Sequence, residues 1–519
     1  MSEEKVPGRC PMAHPRSAAQ ATPMAPIVGK PVSRRTLLRT AGAFTGALGT
    51  LALLQDGAIV PQRLAMADPA VAFPDIQFDL GPFSPPAVTY DGIPIGMPPV
   101  HTVFLTATLN GRPSRADQSR MESALRTIEA NYPYAPGGVI THVSYSDNYF
   151  ARFPATVVNA NMPRTLSGNQ PVLKRAVAAP SDVAPGNHVF ELRRPAFNVP
   201  VRMESNDVLF TVRGDDPSYV ADVVSWLSGS NRLVGRAINS PRFDAGMTIT
   251  SSRAMFVQIG LPRYVAANAG FAWQSFVNSD SPMWMGFADQ QTNAAAPPAD
   301  VTFAGGDGIH LSTATPGSYF DNGSIQHLSH VLMDLEQFYL NGKDPDEGPD
   351  TREPFDERIQ YMFHSPAPVE QNPDDPFYNG GGPMNLTMRG AMVKNEFKGA
   401  GYAEQSAQQF GRMGHLSTLQ RSSRTADGRP IHIRIDGPGF DAMDTTTGRN
   451  TPKLQFSGFF PSADFFATMR ANTSAVDLLL KYNLDEEDHG LERFTTATRR
   501  QNYLIPPRRH RAFPLAELV

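Results

Sequence analysis

Histidine is the side chain best suited to acid–base and metal chemistry near neutral pH. This chain has 12 of them, eleven after residue 100: His101, His142, His188, His310, His327, His330, His364, His415, His432, His489 and His510. The pair His327-x-x-His330 would share a helical face and could hold a metal there; in a strand the two rings point to opposite sides. Its surroundings, Ser-Ile-Gln-His-Leu-Ser-His-Val-Leu, read as a strand, so the pair predicts no metal site. The sole cysteine, Cys10, excludes intrachain disulfides, Cys-ligated zinc and iron–sulfur clusters. No Walker loop, GxGxxG fingerprint or GxSxG elbow is present. Trp284 and the tyrosines could relay electrons, although aromatic residues mostly pack cores. The cluster Arg499-Arg500 with Arg508-Arg509-His510-Arg511 could hold acidic groups, and by default it is a solvated charge run.

Positioning such groups needs a folded frame. Over 519 residues the chain is 41% hydrophobic and 18% charged, which describes a globular protein rather than a disordered one. Lys and Arg number 46 against 50 Asp and Glu, so no cationic excess exists to bind nucleic acid. The 47 prolines predict long, stiff loops. Ser33-Arg34-Arg35-Thr36-Leu37-Leu38 precedes a glycine-broken apolar run, Ala41 to Leu54, and Ala65-Met66-Ala67 offers a cleavage site. Residues 1–67 therefore resemble a twin-arginine signal peptide. The run is shorter than the ~20 residues a permanent membrane span wants. The expected location is periplasmic or extracellular, with the twin-arginine translocation machinery as partner.

Beyond the leader, His101 to Thr108 reads as a strand. Ser114 then caps a helix whose Met121, Ala124, Leu125 and Ile128 form one buried stripe. Further strands fall at Gly138 to Tyr145 and Asp207 to Val212. Asp216 and Pro217 open a second helix bearing Val220, Val223, Val224 and Leu227. A similar series follows residue 300: a strand from Ser324 to Leu332 running into Met333 to Tyr339, a strand from Leu454 to Phe460, and a helix capped by Ser462 with Phe465, Phe466 and Met469. This predicts an α+β fold of two similar halves, residues 68–300 and 301–519, with a Pro-, Gly-, Asp- and Asn-rich insertion near 341–394.

Several of these segments resemble the dye-decolourising peroxidase superfamily. Ile140 to Phe153 is similar to that family's early strand and turn, and Asp207 to Pro217 to its strand–helix junction with Asp-Asp-Pro. Met285-Gly286-Phe287-Ala288-Asp289 resembles its Gly-x-x-Asp-Gly signature. Leu491 to Phe494 and Tyr503 to Pro507 resemble its closing segments. The matches run in order across residues 100 to 510. The resemblance implies two ferredoxin-like halves, each an antiparallel sheet with helices on one face, in a dimeric α+β barrel-like arrangement. It also implies a peroxidase that uses hydrogen peroxide to oxidise a small organic reductant, with haem b (heme b) as cofactor; a homo-oligomer is compatible with it. One departure is Gln290, standing where the family has glycine.

The same resemblance implies site roles. The axial iron ligand would be an imidazole: His415 in Gly414-His415-Leu-Ser-Thr-Leu-Gln-Arg421, or else His432 in Pro430-Ile-His432-Ile-Arg434. Asp289 would move the peroxide proton, and Arg434 would stabilise charge as the O–O bond breaks. Arg421, Arg424 and Arg429 compete for the arginine role, and Asp289 alone would also suit an ordinary turn. The alternative function is a non-catalytic haem-binding or haem-free protein on the same fold.

Overall fold

A computed structural model describes residues 73–519 apart from 84–86, 91–92, 185–189, 287, 292–294, 307, 341–361, 363–391, 396–397, 423 and 426–427. The leader and most of the insertion near 341–394 lie outside the described residues.

The first half begins with β1 (His101–Leu109) and α1 (Arg115–Asn131). Ser114 closes a capping box on α1: its Oγ accepts from Asp117 N at 3.2 Å, and the Asp117 carboxylate accepts from Ser114 N at 2.7 Å. Strands β2 (Ile140–Ser146) and β3 (Val208–Gly214) follow, then α2 (Pro217–Leu227) and β4 (Met247–Phe256). Asp216 caps α2 by accepting from Ser218 N at 2.8 Å, with Pro217 at the first helical position. The strands hydrogen-bond in the order β2-β3-β1-β4, all antiparallel, which is the ferredoxin-like order.

A short β5 (Ala288–Gln291) links to the second half, where β6 (Ser324–Met333) and α3 (Leu335–Leu340) come next. The crossover then holds β7 (Met392–Asn395), parallel to β5, and the helices α4 (Tyr402–Phe410) and α5 (His415–Leu419). It ends in β8 (Ile433–Asp441), β9 (Thr451–Phe460), α6 (Ala463–Ser474) and β10 (Thr495–Ile505). Their order, β8-β9-β6-β10, repeats that of the first half.

The two sheets join into one. β10 pairs with β2 through Tyr503 with Ser146 and Leu504 with Tyr145. At the other edge β8 lies against β4, and two glycines allow it. A β-carbon on Gly437 would fall 2.7 Å from Val257 Cγ2, and one on Gly439 3.0 Å from the Ala254 carbonyl oxygen. The result is an α+β barrel of two ferredoxin-like halves with helices outside. Its interior is apolar at one level, with Phe104, Leu209, Leu328, Phe459 and Tyr503 packed together. At another level it is polar: Gln326 Nε2 donates to Thr211 Oγ1 and Ser457 Oγ, both at 3.1 Å.

The outer layers differ. Outward side chains of β1 and β3 (Val103, Leu105, Phe210, Val212) pack directly on α1 and α2. In the second half the layer between sheet and helices is hollow. Among the described residues no helix is long and apolar enough to cross a membrane.

Candidate functional site

The hollow is a cavity of about 530 Å³, in the range that encloses a cofactor-sized molecule. Its floor is the outward face of the second sheet, including Ser329, Val331 and Met333 of β6, Leu454 and Phe456 of β9, and Thr495 and Ala497 of β10. Its roof is Leu419 of α5 with Phe466, Met469 and Thr473 of α6. These are apolar, broad surfaces suited to a flat hydrophobic ligand.

His415 is the first residue of α5, follows Gly414, and lines the cavity. Burial, with the Arg434 guanidinium nearby, pulls its imidazole down to about 4, so at neutral pH the ring is uncharged. Glu492 and Arg470 also face this end. Arg470 Nη1 donates to Glu492 at 3.0 Å and Nη2 to Ser181 Oγ at 2.9 Å. Burial works to raise the Glu492 carboxyl, but Arg470 outweighs it and keeps the group below its usual range.

Strand alternation puts His432, Arg434 and Asp436 on one face of β8 and its entry, and all three line the cavity. The His432 ring is buried and stacks on Phe460 with centroids 6.3 Å apart. Arg434, opposite Gly458 of β9, has no hydrogen-bonded or ion-paired carboxylate among the described residues. Its rival Arg421 is occupied by Asp477, at 2.9 and 2.7 Å. Arg424 donates to the Gly428 carbonyl at 2.6 Å. The structure thus brings His415, His432 and Arg434 to one cavity.

Asp289 stands in β5, opposite Val393 of β7; its side chain, like that of Gln290, lies outside the described residues. The backbone there is a strand paired in parallel, so the reading of Asp289 as a plain turn residue is corrected.

The C-terminal basic cluster also needs correction, because most of it is not a solvated run. Arg500 is 2% exposed and donates to both Asp182 oxygens at 2.7 Å, with Nη1 on Ser329 Oγ at 2.9 Å in the cavity wall. Arg511 is buried against Glu122 and Glu129, and Arg508 bonds Glu129 at 2.8 Å. Carboxylate pairing of this kind offsets the cost of desolvating a guanidinium. His327 and His330 do face opposite sides: His327 bonds Asn502 and Ser329, both at 2.6 Å, and His330 bonds Gln455 at 3.0 Å. Trp284 is buried at the cavity edge, its Nε1 donating to the Gly439 carbonyl at 3.2 Å. Among the described residues no three His, Cys, Asp or Glu side chains converge to hold a bare metal ion.

Sequence reasoning named Arg500 only within the basic cluster, and missed Asp436, Asp182, Arg470, Glu492 and Arg213 as cavity residues. Asp436 had a signal, the alternation His432-x-Arg434-x-Asp436. The others come from distant segments and had none.

No curated protein matches the chain. Similar solved structures include the encapsulated DyP-type peroxidase from Mycobacterium smegmatis (13% identity, 79% of this chain and 94% of that one, TM-score 0.40). Others are a DyP-type peroxidase from Cellulomonas bogoriensis (13%, 79% and 90%, TM-score 0.43) and a variant of Rhodococcus jostii DypB in complex with haem (13%, 80% and 95%, TM-score 0.39). Likeness this distant says nothing about chemistry. A family model described as a family of unknown function, DUF7405, matches residues 99–179 and 192–507. Spanning both ferredoxin-like halves and every described strand of the barrel, that match places the chain in the DUF7405 family.

Proposed function

We propose that the cavity holds an iron porphyrin and that the protein is an exported, peroxidase-type oxidoreductase. It would use hydrogen peroxide to oxidise a small organic reductant. The observation that carries this reading is one cavity with a neutral imidazole on its helical wall and, on its sheet wall, a guanidinium that no carboxylate among the described residues pairs with. The residues present fit the group: the apolar floor and roof would hold the macrocycle, and His415, with His432 as the runner-up, would hold the iron.

When bound, the porphyrin supplies the redox-active iron on which peroxide is activated. The protein's own part is positional and electrostatic. His415, kept deprotonated by burial, offers a ring nitrogen from α5. Arg434, which no carboxylate among the described residues hydrogen-bonds or ion-pairs, would direct its N–H donors at negative charge developing in the cavity. A carboxylate oxygen must accept the first peroxide proton and return it to the leaving oxygen. Asp289 is the group that the resemblance implies, and Asp436, beside Arg434 on the same strand face, is a second. Met333, Leu454, Leu419 and Met469 exclude water around them.

Peroxide turnover by haem-loaded protein tests these roles. Arg434→Ala should slow it by about 100-fold or more, and either Asp289→Ala or Asp436→Asn should slow it by about 100-fold. Turnover unchanged in all three variants refutes the assigned roles and leaves the non-catalytic haem-binding alternative.

A further inference from the structure

One part of the cavity plays no role in that chemistry. Arg213, near the end of β3, reaches the cavity wall where it opens to the barrel interior, and it is 4% exposed. Its Nε donates to Thr102 Oγ1 at 3.2 Å, and among the described residues no carboxylate lies within ion-pair range of it. His142 lies on the neighbouring strand β2. In the register Ile140 faces Arg213 and His142 faces Thr211, so the two side chains are diagonal neighbours. The His142 ring is 1% exposed, and among the described residues neither nitrogen has a hydrogen-bond partner. A buried guanidinium whose nearest negative charge, Asp215, is not ion-paired with it, and a buried imidazole with no hydrogen-bond partner among the described residues, are each costly, and the two interact in one corner. Burial accordingly pulls Arg213 down to about 10. Met255 shares its neighbour Thr102 with Arg213, and Met97, Val257, Met283 and Ile435 line the same cavity.

We infer that Arg213 and His142 form a carboxylate subsite at the barrel end of the cavity, which takes an apolar or aromatic monocarboxylic acid. The carboxylate would accept two N–H bonds from the guanidinium fork and one from the imidazole, supplying the missing charge. The hydrocarbon body would lie on the methionines, whose thioethers adapt to irregular shapes. Two sources share this chemistry: a free organic acid, or a propionate arm of the bound porphyrin. The porphyrin source rests on the proposed function; the free acid does not.

The test uses the whole purified chain, with benzoate and its neutral isostere benzamide as probes, followed by calorimetry and tryptophan fluorescence. Benzoate should bind at least about tenfold more tightly than benzamide, the size of one lost charge-assisted bond. Arg213→Met should abolish that ratio, and Arg213→Lys should retain part of it; the lysine variant and the wild-type ratio keep the test decisive if the methionine variant does not fold. Haemin and its dimethyl ester separate the sources. If Arg213 takes a propionate, Arg213→Met weakens haemin but not the ester, and loaded protein excludes benzoate. If it takes a free acid, loaded protein still binds benzoate and the variant binds haemin normally. Failure to bind any porphyrin sinks the proposed function while the benzoate comparison still stands. Equal binding of benzoate and benzamide, with haemin and its ester equally affected by Arg213→Met, overturns the subsite and leaves buried water as its filling.

Discussion

Replacing Asp182 by Leu should damage the cavity wall severely. Asp182 and Arg500 are each 2% exposed in their side chains, and the guanidinium donates to both carboxylate oxygens at 2.7 Å. Asp182 also accepts from Ala179 N at 2.8 Å. Burial tends to raise this carboxyl, and the Arg500 charge overrides it, keeping Asp182 ionised and below its usual range. Asp182→Leu therefore strands a buried cation over the Phe466 ring and leaves the Ala179 amide unpaired, which costs about 3–5 kcal/mol. Arg500→Met alone should cost a similar amount, because it strands the carboxylate. The double variant removes both charges together and should recover much of the loss, with a coupling of about 2–3 kcal/mol. Urea denaturation of the four proteins measures the cycle. Additive effects, or a single variant costing less than about 1 kcal/mol, would refute the view that the pair is desolvated and mutually dependent.

Two other outcomes follow from the same structure. His415 has a folded-state pKa of about 4 against ~6.5 when unfolded. Below pH 6.5 the unfolded chain takes up a proton that the folded one refuses, so this stabilisation is complete above pH 6.5 and lost as pH falls towards 4. It amounts to at most about 3 kcal/mol, since the ring is open to the cavity. The stability difference between wild type and His415→Gln should shrink over that window, and a flat difference from pH 7 to pH 4 contradicts the assignment. Gly437→Val should press β8 off β4 at Val257 and cost about 1–3 kcal/mol by thermal unfolding; a neutral effect would mean that the barrel edge is open there.

Local signals made much of the frame legible. The Ser114 capping box, the Asp216-Pro217 helix start and the stripe Met121, Ala124, Leu125, Ile128 depend on neighbours within a few residues, and each stands where the sequence places it. Closure of the barrel was not legible, because it depends on Gly437 and Gly439 meeting Val257 and Ala254, nearly two hundred residues earlier. The same limit explains Arg500 and Arg511. A run of basic residues carries no mark of partners as remote as Asp182 or Glu122, so it reads as solvated when it is buried. Within the cavity, His415, His432 and Arg434 could be named from the resemblance. Asp436 needed only the two-residue period of a strand, applied one step beyond Arg434.

The central claim is that this cavity takes an iron porphyrin through His415. Its most direct measurement is a haemin titration of the purified protein, followed by Soret absorbance, beside His415→Ala and His432→Ala. The account predicts one equivalent bound by wild type, a Soret band lost or displaced in His415→Ala, and a band retained in His432→Ala. No saturable binding by wild type, or a spectrum indifferent to His415→Ala, would contradict it.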